Sequence, residues 1–432
     1  MKGGRRVQRP GKTIAEKLLS RSAGADLRAG DLAICAPHVA MGTDGSIPMA
    51  LDYLQRMQPE GAVLPPPAQA DRVVFALDHY GPASGQRSLA LQERARSYGR
   101  THGVRVFEVG EGIGHQLMME RGLVLPGTLV AGADSHAVSY GALNAFGTGI
   151  GSSDFAGILQ CGQLWLKVPA SLRVVLTGRL APQASAKDAA LALARRLGAD
   201  GASFLALEFC GPGVAALDMD DRMVLANMSV EMGAKAGLFP FDGHTAAYLR
   251  GRAAGSGEPT GADPDAAYAG TVELDLAGVV AQVALPHRVD QVVDLALAPP
   301  TRVDMVYLGT CTGGRTKDFR EALEVLRDGG GVAAGVRLVV TPASAAVRDE
   351  LAASGALAEF QALGAEIQPP GCGACCGTCG SIPAAGANVV STANRNFKGR
   401  MGNREARIFL ASPRACAAAA VHGRLGEPGA LP

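Results

Sequence analysis

Short apolar runs that stop at small or charged residues alternate, along this chain, with stretches in which apolar side chains recur every three or four positions. That alternation predicts strands feeding helices. Residues 12–19 have helical spacing, and Thr13 with Glu16 predicts a capping box at its start. Residues 31–35 read as a buried strand, followed by a loop through Asp44-Gly45-Ser46 and a helix over 49–57. The next run, 72–77, delivers Asp78-His79 into a turn. Residues 86–101 are helical by pattern, and the strand at 104–109 leads to the Gly-rich turn 110–114 and His115. Residues 127–133 run into Asp134-Ser135-His136 and a Gly/Ala-rich stretch to Asp154. Three successive strands thus end in a histidine-bearing turn, where α/β proteins build their sites.

Residues 163–169 close a first unit, 1–170. A second, 171–287, opens with a strand at 172–177 and an Ala-rich helix near 187–197. It carries Asn227 and Glu231 four positions apart, a spacing that puts both on one helix face. Glu208 reads as structural, and residues 250–270, rich in Gly, Ala, Pro and Asp, read as a surface loop. The third unit, 288–432, ends in a helix-like run at 411–421. A chain of 432 residues exceeds one ordinary core, so two or three α/β domains are expected, and the three units above make the reading a three-domain α/β protein with parallel or mixed sheets flanked by helices.

A net charge of +1 argues against a dedicated nucleic-acid binder. The opening, residues 1–10, is basic, yet no apolar signal-peptide core follows it, and no uninterrupted apolar run of about 18 residues predicts a membrane span. A cytoplasmic location is expected. Nine cysteines, odd in number and clustered, suit a reducing compartment and a metal site better than a disulfide framework.

The clustering is informative. Cys372 and Cys375 form a C-x-x-C in Pro370-Gly371-Cys372-Gly373-Ala374-Cys375, and Cys311 stands alone in Gly309-Thr310-Cys311-Thr312-Gly313-Gly314-Arg315. Two thiolates at that spacing can hold adjacent corners of an iron–sulfur cube while a distant loop supplies a third. Together with Ser391-Thr392-Ala393-Asn394-Arg395-Asn396-Phe397-Lys398-Gly399-Arg400, these blocks resemble the aconitase superfamily. The resemblance, over roughly residues 10–425, is closest to the large subunit of the two-subunit isopropylmalate isomerase and homoaconitase group.

The resemblance implies a [4Fe–4S] cluster held by Cys311, Cys372 and Cys375, with one iron lacking a protein ligand and acting as a Lewis acid. It implies a hydro-lyase that dehydrates and rehydrates a 2-hydroxy dicarboxylate, 3-isopropylmalate being the commonest substrate of this subunit type. The alternatives are homoaconitate, methylmalate (citraconate) or 2,3-dimethylmalate, or an inactive or RNA-binding paralogue. Asp78, His79, His115, Asp134, Ser135 and His136 match the acid and histidine pairs that handle the leaving water's proton. Glu231 matches the carboxylate that bonds that water, and Asn227, Asn394 and Asn396 match neighbours of the cluster. Arg395 and Arg400 match substrate-carboxylate arginines, with Thr43 and Asp44 also on the substrate side. The family's catalytic serine sits on a swivelling fourth domain that has no counterpart in this sequence, so a separate small subunit is expected to bring it. Three positions depart from the family pattern: Gly313 replaces Asn, Ala137 replaces Thr, and Thr43 replaces His. Cys376 and Cys379 form a second, overlapping C-x-x-C and read as small packing residues beside the cluster, with a structural zinc site as the alternative.

Overall fold

Five short strands, the three central ones buried throughout, make a parallel sheet in the spatial order Arg105–Phe107, Val73–Ala76, Val39–Thr43, Leu129–Gly132, Phe146–Gly149. Strands buried on both sides by helices lack polar alternation, and these do. The computed structural model describes residues 10–425, so the basic opening, all but Pro10, lies outside the described residues. Because the strands are parallel, their C-terminal ends share one edge. The turns bearing His79, His115 and His136 meet along it.

The central strand, Val39–Thr43, falls where the sequence reads as loop, and Phe146–Gly149 lies inside the Gly/Ala-rich stretch. Both are four or five residues long and interrupted by glycine, too short for periodicity to register. The strand expected to be buried at 31–35 is instead Leu32–Cys35, paired antiparallel with Leu164–Lys167, with Leu32 70% and Ile34 58% exposed.

A second, all-parallel sheet runs Ala236–Leu238, Ala206–Cys210, Ser171–Thr177, Gly270–Asp275. The third sheet is mixed: Arg407–Ala411, Asn388–Ser391, Met305–Leu308, Arg337–Val340 and Ala365–Ile367 are parallel neighbours. Gln282–Ala284 joins it antiparallel, with Val292–Asp294 beyond. The expected boundary at 287/288 therefore falls inside this sheet. No helix among the described residues is long and apolar enough to cross a membrane.

One core cluster spans all three sheets, with Met41, Tyr140, Leu172, Met223, Tyr307 and Val389 among its members. The first and second units are also tied by charge. Thr13 and Glu16 form the expected capping box on helix Ile14–Ala23. The buried Glu208 carboxylate accepts from the Ile14 and Ala15 N–H groups at 3.2 and 3.0 Å, from Ser171 Oγ at 2.7 Å and from the Tyr268 hydroxyl at 3.2 Å. A carboxylate at a helix N-terminus meets unpaired N–H groups and the positive end of the helix dipole.

Glu208→Ala leaves those four donors unanswered in a buried seam and is expected to cost about 2–4 kcal/mol of stability. Equilibrium urea unfolding checks it, and an unchanged midpoint contradicts this account of the seam.

Candidate active site

At the shared edge of the first sheet, one carboxylate holds three imidazoles. Asp134 Oδ2 lies 3.2 Å from His79 Nε2, and Asp134 Oδ1 lies 2.9 Å from His115 Nε2 and 3.3 Å from His136 Nδ1. The same Oδ1 accepts the His136 N–H at 2.8 Å, capping the 3-10 helix Ser135–Leu143 and fixing where His136 enters. Burial pushes the Asp134 carboxyl up, but the histidines more than offset it and hold its pKa well below the usual carboxylate range.

His79 stands between two carboxylates: its Nδ1 is 2.8 Å from Asp78 Oδ1 and its Nε2 faces Asp134. Burial disfavours its cation, and Asp78 and Asp134 together outweigh that, holding its pKa well above the ordinary imidazole value. With a carboxylate at each ring nitrogen, both carry protons at neutral pH. Asp78 is itself fixed by the Gly114 N–H, 2.8 Å from Oδ2. His115 Nδ1 meets the Tyr140 hydroxyl at 3.1 Å, leaving Nε2 to face Asp134.

The chain of contacts continues across the seam. His136 Nε2 is 2.9 Å from Glu231 Oε1, and Glu231 takes Arg395 Nε at 2.8 and 3.0 Å. Burial pushes the Glu231 carboxyl up, and His136 with Arg395 more than offsets it, so it stays ionised. The expected single helix face for Asn227 and Glu231 is corrected: helix Met219–Met228 ends between them and Ser229–Met232 is 3-10. The tighter turn separates their directions. Asn227 faces sulfur and Glu231 faces His136.

The sulfur side comes from the third sheet. Cys311 follows strand Met305–Leu308 on a turn in which Thr310 adopts φ 75, an unfavourable region for a β-branched residue. Asn227 Nδ2 donates to Cys311 Sγ at 3.1 Å and Asn394 Nδ2 at 3.3 Å, while Arg400 Nη2 donates to Cys375 Sγ at 3.4 Å. Gly112 lets the first sheet's turn dock here, since a Cβ on it would lie 2.6 Å from the Ala343 carbonyl. Gly313 packs on Thr392: a Cβ there would sit 2.5 Å from the Thr392 Cβ.

His79, His115, Asp134, His136, Cys311, Cys372, Cys375, Asn394, Arg395 and Arg400 line one small cavity, together with Ile113, Thr310 and Cys376. Asp78, Asn227 and Glu231 stand behind this lining, bonded to His79, Cys311 and His136, and four further expected members are turned elsewhere. Thr43 Oγ1 pairs with Ser46 Oγ at 3.2 Å, and Asp44 accepts from the His79 and Tyr80 N–H groups at 2.9 and 3.1 Å and from Gln92 at 3.1 Å. They brace the His79 turn. Asn396 Nδ2 donates to the Leu285 carbonyl at 2.8 Å, tying two loops together rather than facing a cysteine. Ser135 lines a separate groove of about 1080 Å³, alongside Ile150, Trp165 and Phe204. Tyr140 and Ser139, the latter 2.9 Å from Asn227 Nδ2, are site partners that the sequence reading lacks. Their only signal is spacing after His136.

Cys376 and Cys379 knit the cysteine loop to the His79 turn, with Cys376 Sγ 3.1 Å from the His79 carbonyl and Cys379 Sγ 3.2 Å from that of Gly81. Burial pushes the Cys311 thiol up to about 12, and burial with the neighbouring Asp78 and Cys376 pushes Cys372 well above its usual value. Such thiols ionise at neutral pH only when a cation joins them. Amide and guanidinium donors aimed at sulfur suit metal-bound thiolates. Arg400 Nε, buried and without a hydrogen-bond partner in the described structure, is a further donor beside the cavity. The three thiols and their donors fit a [4Fe–4S] cluster.

Residues 70–423 match the aconitase family (aconitate hydratase). The chain is 44% identical to the homoaconitase large subunit of Thermus thermophilus over 422 residues, 97% of each chain. It is 42% identical to 3-isopropylmalate dehydratase large subunit 1 of Thermotoga maritima, over 97% of this chain and 99% of that one. It is 39% identical to the 2,3-dimethylmalate dehydratase large subunit of Eubacterium barkeri, over 98% of this chain and 100% of that one.

Asp78→Asn removes one of the two carboxylates that raise His79 and leaves burial, which lowers it, closer to dominant. The His79 pKa is expected to fall, read from the ring-proton shifts in an NMR titration of histidine-labelled protein. A pKa unchanged in the variant contradicts the assignment of His79 as a standing imidazolium.

Proposed function

The chain belongs to the aconitase family, and from that premise we propose that it is the large subunit of a hydro-lyase that moves the hydroxyl of a 2-hydroxy dicarboxylate by dehydration and rehydration. The substrate proposed is 3-isopropylmalate. The observation that carries the reading is the meeting, in one cavity, of the three thiols with His79, Asp134, His136 and Arg395, the last two joined through Glu231. Homoaconitate is the second reading, favoured by the 44% identity to the Thermus large subunit.

Hydroxide is a poor leaving group, so it must depart as water. His79, held as an imidazolium between Asp78 and Asp134, is the acid that protonates it. Asp134 stays anionic and keeps the imidazoles of His115 and His136 oriented. Glu231, ionised between His136 and Arg395, accepts a hydrogen bond from the water as it forms. Arg400 offers its unpaired Nε to a substrate carboxylate. Cys311, Cys372 and Cys375 would hold the cluster, with Asn227 and Asn394 hydrogen-bonded to the Cys311 sulfur. When bound, it would supply Lewis acidity toward the substrate hydroxyl.

Removing the carbon-bound proton needs a base opposite this acid. The large-subunit relatives imply a small-subunit partner, and we assign to it the serine base and the swivelling domain that carries it. The reaction is placed in the cytoplasm, where a reducing environment keeps the thiols available.

The direct test is anaerobic reconstitution with iron and sulfide, then EPR and turnover with 3-isopropylmalate, homoaconitate and 2,3-dimethylmalate in the presence of a small subunit. A signal and a turnover that respond to one diacid establish the reading; a chain that takes up no cluster, or one indifferent to every diacid, overturns it. Cys311→Ala and Cys375→Ala are expected to lose cluster iron, whereas Cys379→Ala retains it, by iron assay. Arg400→Ala is expected to lower kcat/KM about 100-fold or more, the size of effect seen when a preorganised donor is removed from an active site.

A further inference from the structure

Lys187 has no place in the mechanism, yet it lies against the machinery. It is 3% exposed, and its Nζ has three uncharged partners: the Ala393 carbonyl at 2.6 Å, the Thr392 carbonyl at 3.2 Å and Met228 Sδ at 3.7 Å. It stands at the second position of helix Ala186–Leu197, where the helix dipole disfavours a cation. A buried ammonium with only neutral partners is costly. Burial lowers its pKa to about 8, while the Cys416 thiol, the Glu231 carboxylate and the Cys311 and Cys375 thiols pull the other way. Groups of the active site are thus close enough to be felt by it.

Its two carbonyl partners belong to the segment that carries Asn394 and Arg395. The Thr392 carbonyl also accepts from Thr312 Oγ1 at 2.8 Å, beside Cys311, and Thr392 Oγ1 accepts the Gly309 N–H at 3.0 Å. Asn394 follows directly with its amide on Cys311 Sγ, and Arg395 with its guanidinium on Glu231. The helix bearing Lys187 is anchored independently: Ser185 and Asp188 form a capping box, and Asp188 Oδ1 accepts the Gln282 N–H at 2.9 Å. The ammonium is therefore delivered by a fixed element to the back of the turn that faces the cysteines.

We propose that Lys187 is a positioning residue for the cluster face of the site, clamping the Thr392 and Ala393 carbonyls so that Asn394 and Arg395 keep their aim, and offsetting from behind the negative charge of the thiolate-held cluster. This inference rests on the cluster-bound hydro-lyase reading above. A [4Fe–4S]2+ core bound by three thiolates is a net anion, and reducing it adds another negative charge. A buried positive charge favours the more negative state.

The test compares the reconstituted full-length protein with Lys187→Met, Lys187→Gln and Lys187→Arg, measuring iron content, melting temperature and midpoint potential by EPR-monitored redox titration. Expected are full iron content in all four, a more negative potential in the neutral variants, and a potential restored toward wild type in Lys187→Arg. With the small subunit, the neutral variants are expected to lose kcat by roughly tenfold, or more, with KM little changed. Equal potentials across the four proteins overturn the inference while leaving the cluster reading intact. Unfolding of both neutral variants beside a folded Lys187→Arg assigns the residue a purely structural role and also overturns it. A wild-type protein that takes up no iron sinks the cluster reading itself, and the iron assay separates that failure from the others.

Discussion

The interaction on which the rest of the site depends is the sharing of Asp134 among His79, His115 and His136. Charges taken out of water must find opposite charges or neutralise, and here a single carboxylate, too strongly paired to protonate, anchors the whole run. From it the contacts continue outward, through His79 to Asp78 on one side and through His136 to Glu231 and Arg395 on the other. Asp78 and Asp134 raise the pKa of His79, and the histidines lower that of Asp134. An acid poised to give a proton and a carboxylate ready to receive a hydrogen bond can then stand in one connected network without annihilating each other.

That arrangement explains why the site sits at a seam rather than within one unit. The parallel first sheet can bring three histidines to one edge, but it has no thiols to offer. The third sheet brings the cysteines and arginines, and the second brings Asn227, Glu231 and Lys187. Close approach of the three requires places without side chains, such as Gly112 against Ala343, and a core common to all three sheets. Glu208, clasping helix Ile14–Ala23 and Tyr268 together, does the same work away from the chemistry.

Much of the candidate site was legible in sequence because its residues sit in short blocks bounded by glycine: Asp78-His79, Asp134-Ser135-His136, the two cysteine loops and the segment from Asn394 to Arg400. What misled was proximity within those blocks. Ser135 lies between two site residues yet faces the groove with Trp165, and Asn396 lies one residue from Arg395 yet bonds the Leu285 carbonyl. Thr43 and Asp44 end the central strand as the others end theirs, but Asp44 is consumed by the His79 and Tyr80 N–H groups. Neighbours in a tight turn point in different directions, and spacing alone does not say which one faces the cavity.

The sequence by itself determined much of the alternation of strands and helices and the histidine-bearing turns at strand ends, because these follow from local apolar period; the thiols proposed for the cluster came from the resemblance that its glycine-flanked blocks carry. Only the tertiary structure decided the protonation of His79, the separation of Asn227 from Glu231, and the position of Lys187 behind the cysteine turn. The physical reason is that each depends on electrostatic and hydrogen-bonding partners far apart in the chain, such as Asp134 for His79 and the Thr392 carbonyl for Lys187. Periodicity reports the face a residue occupies. It carries no information about which charge will be waiting there.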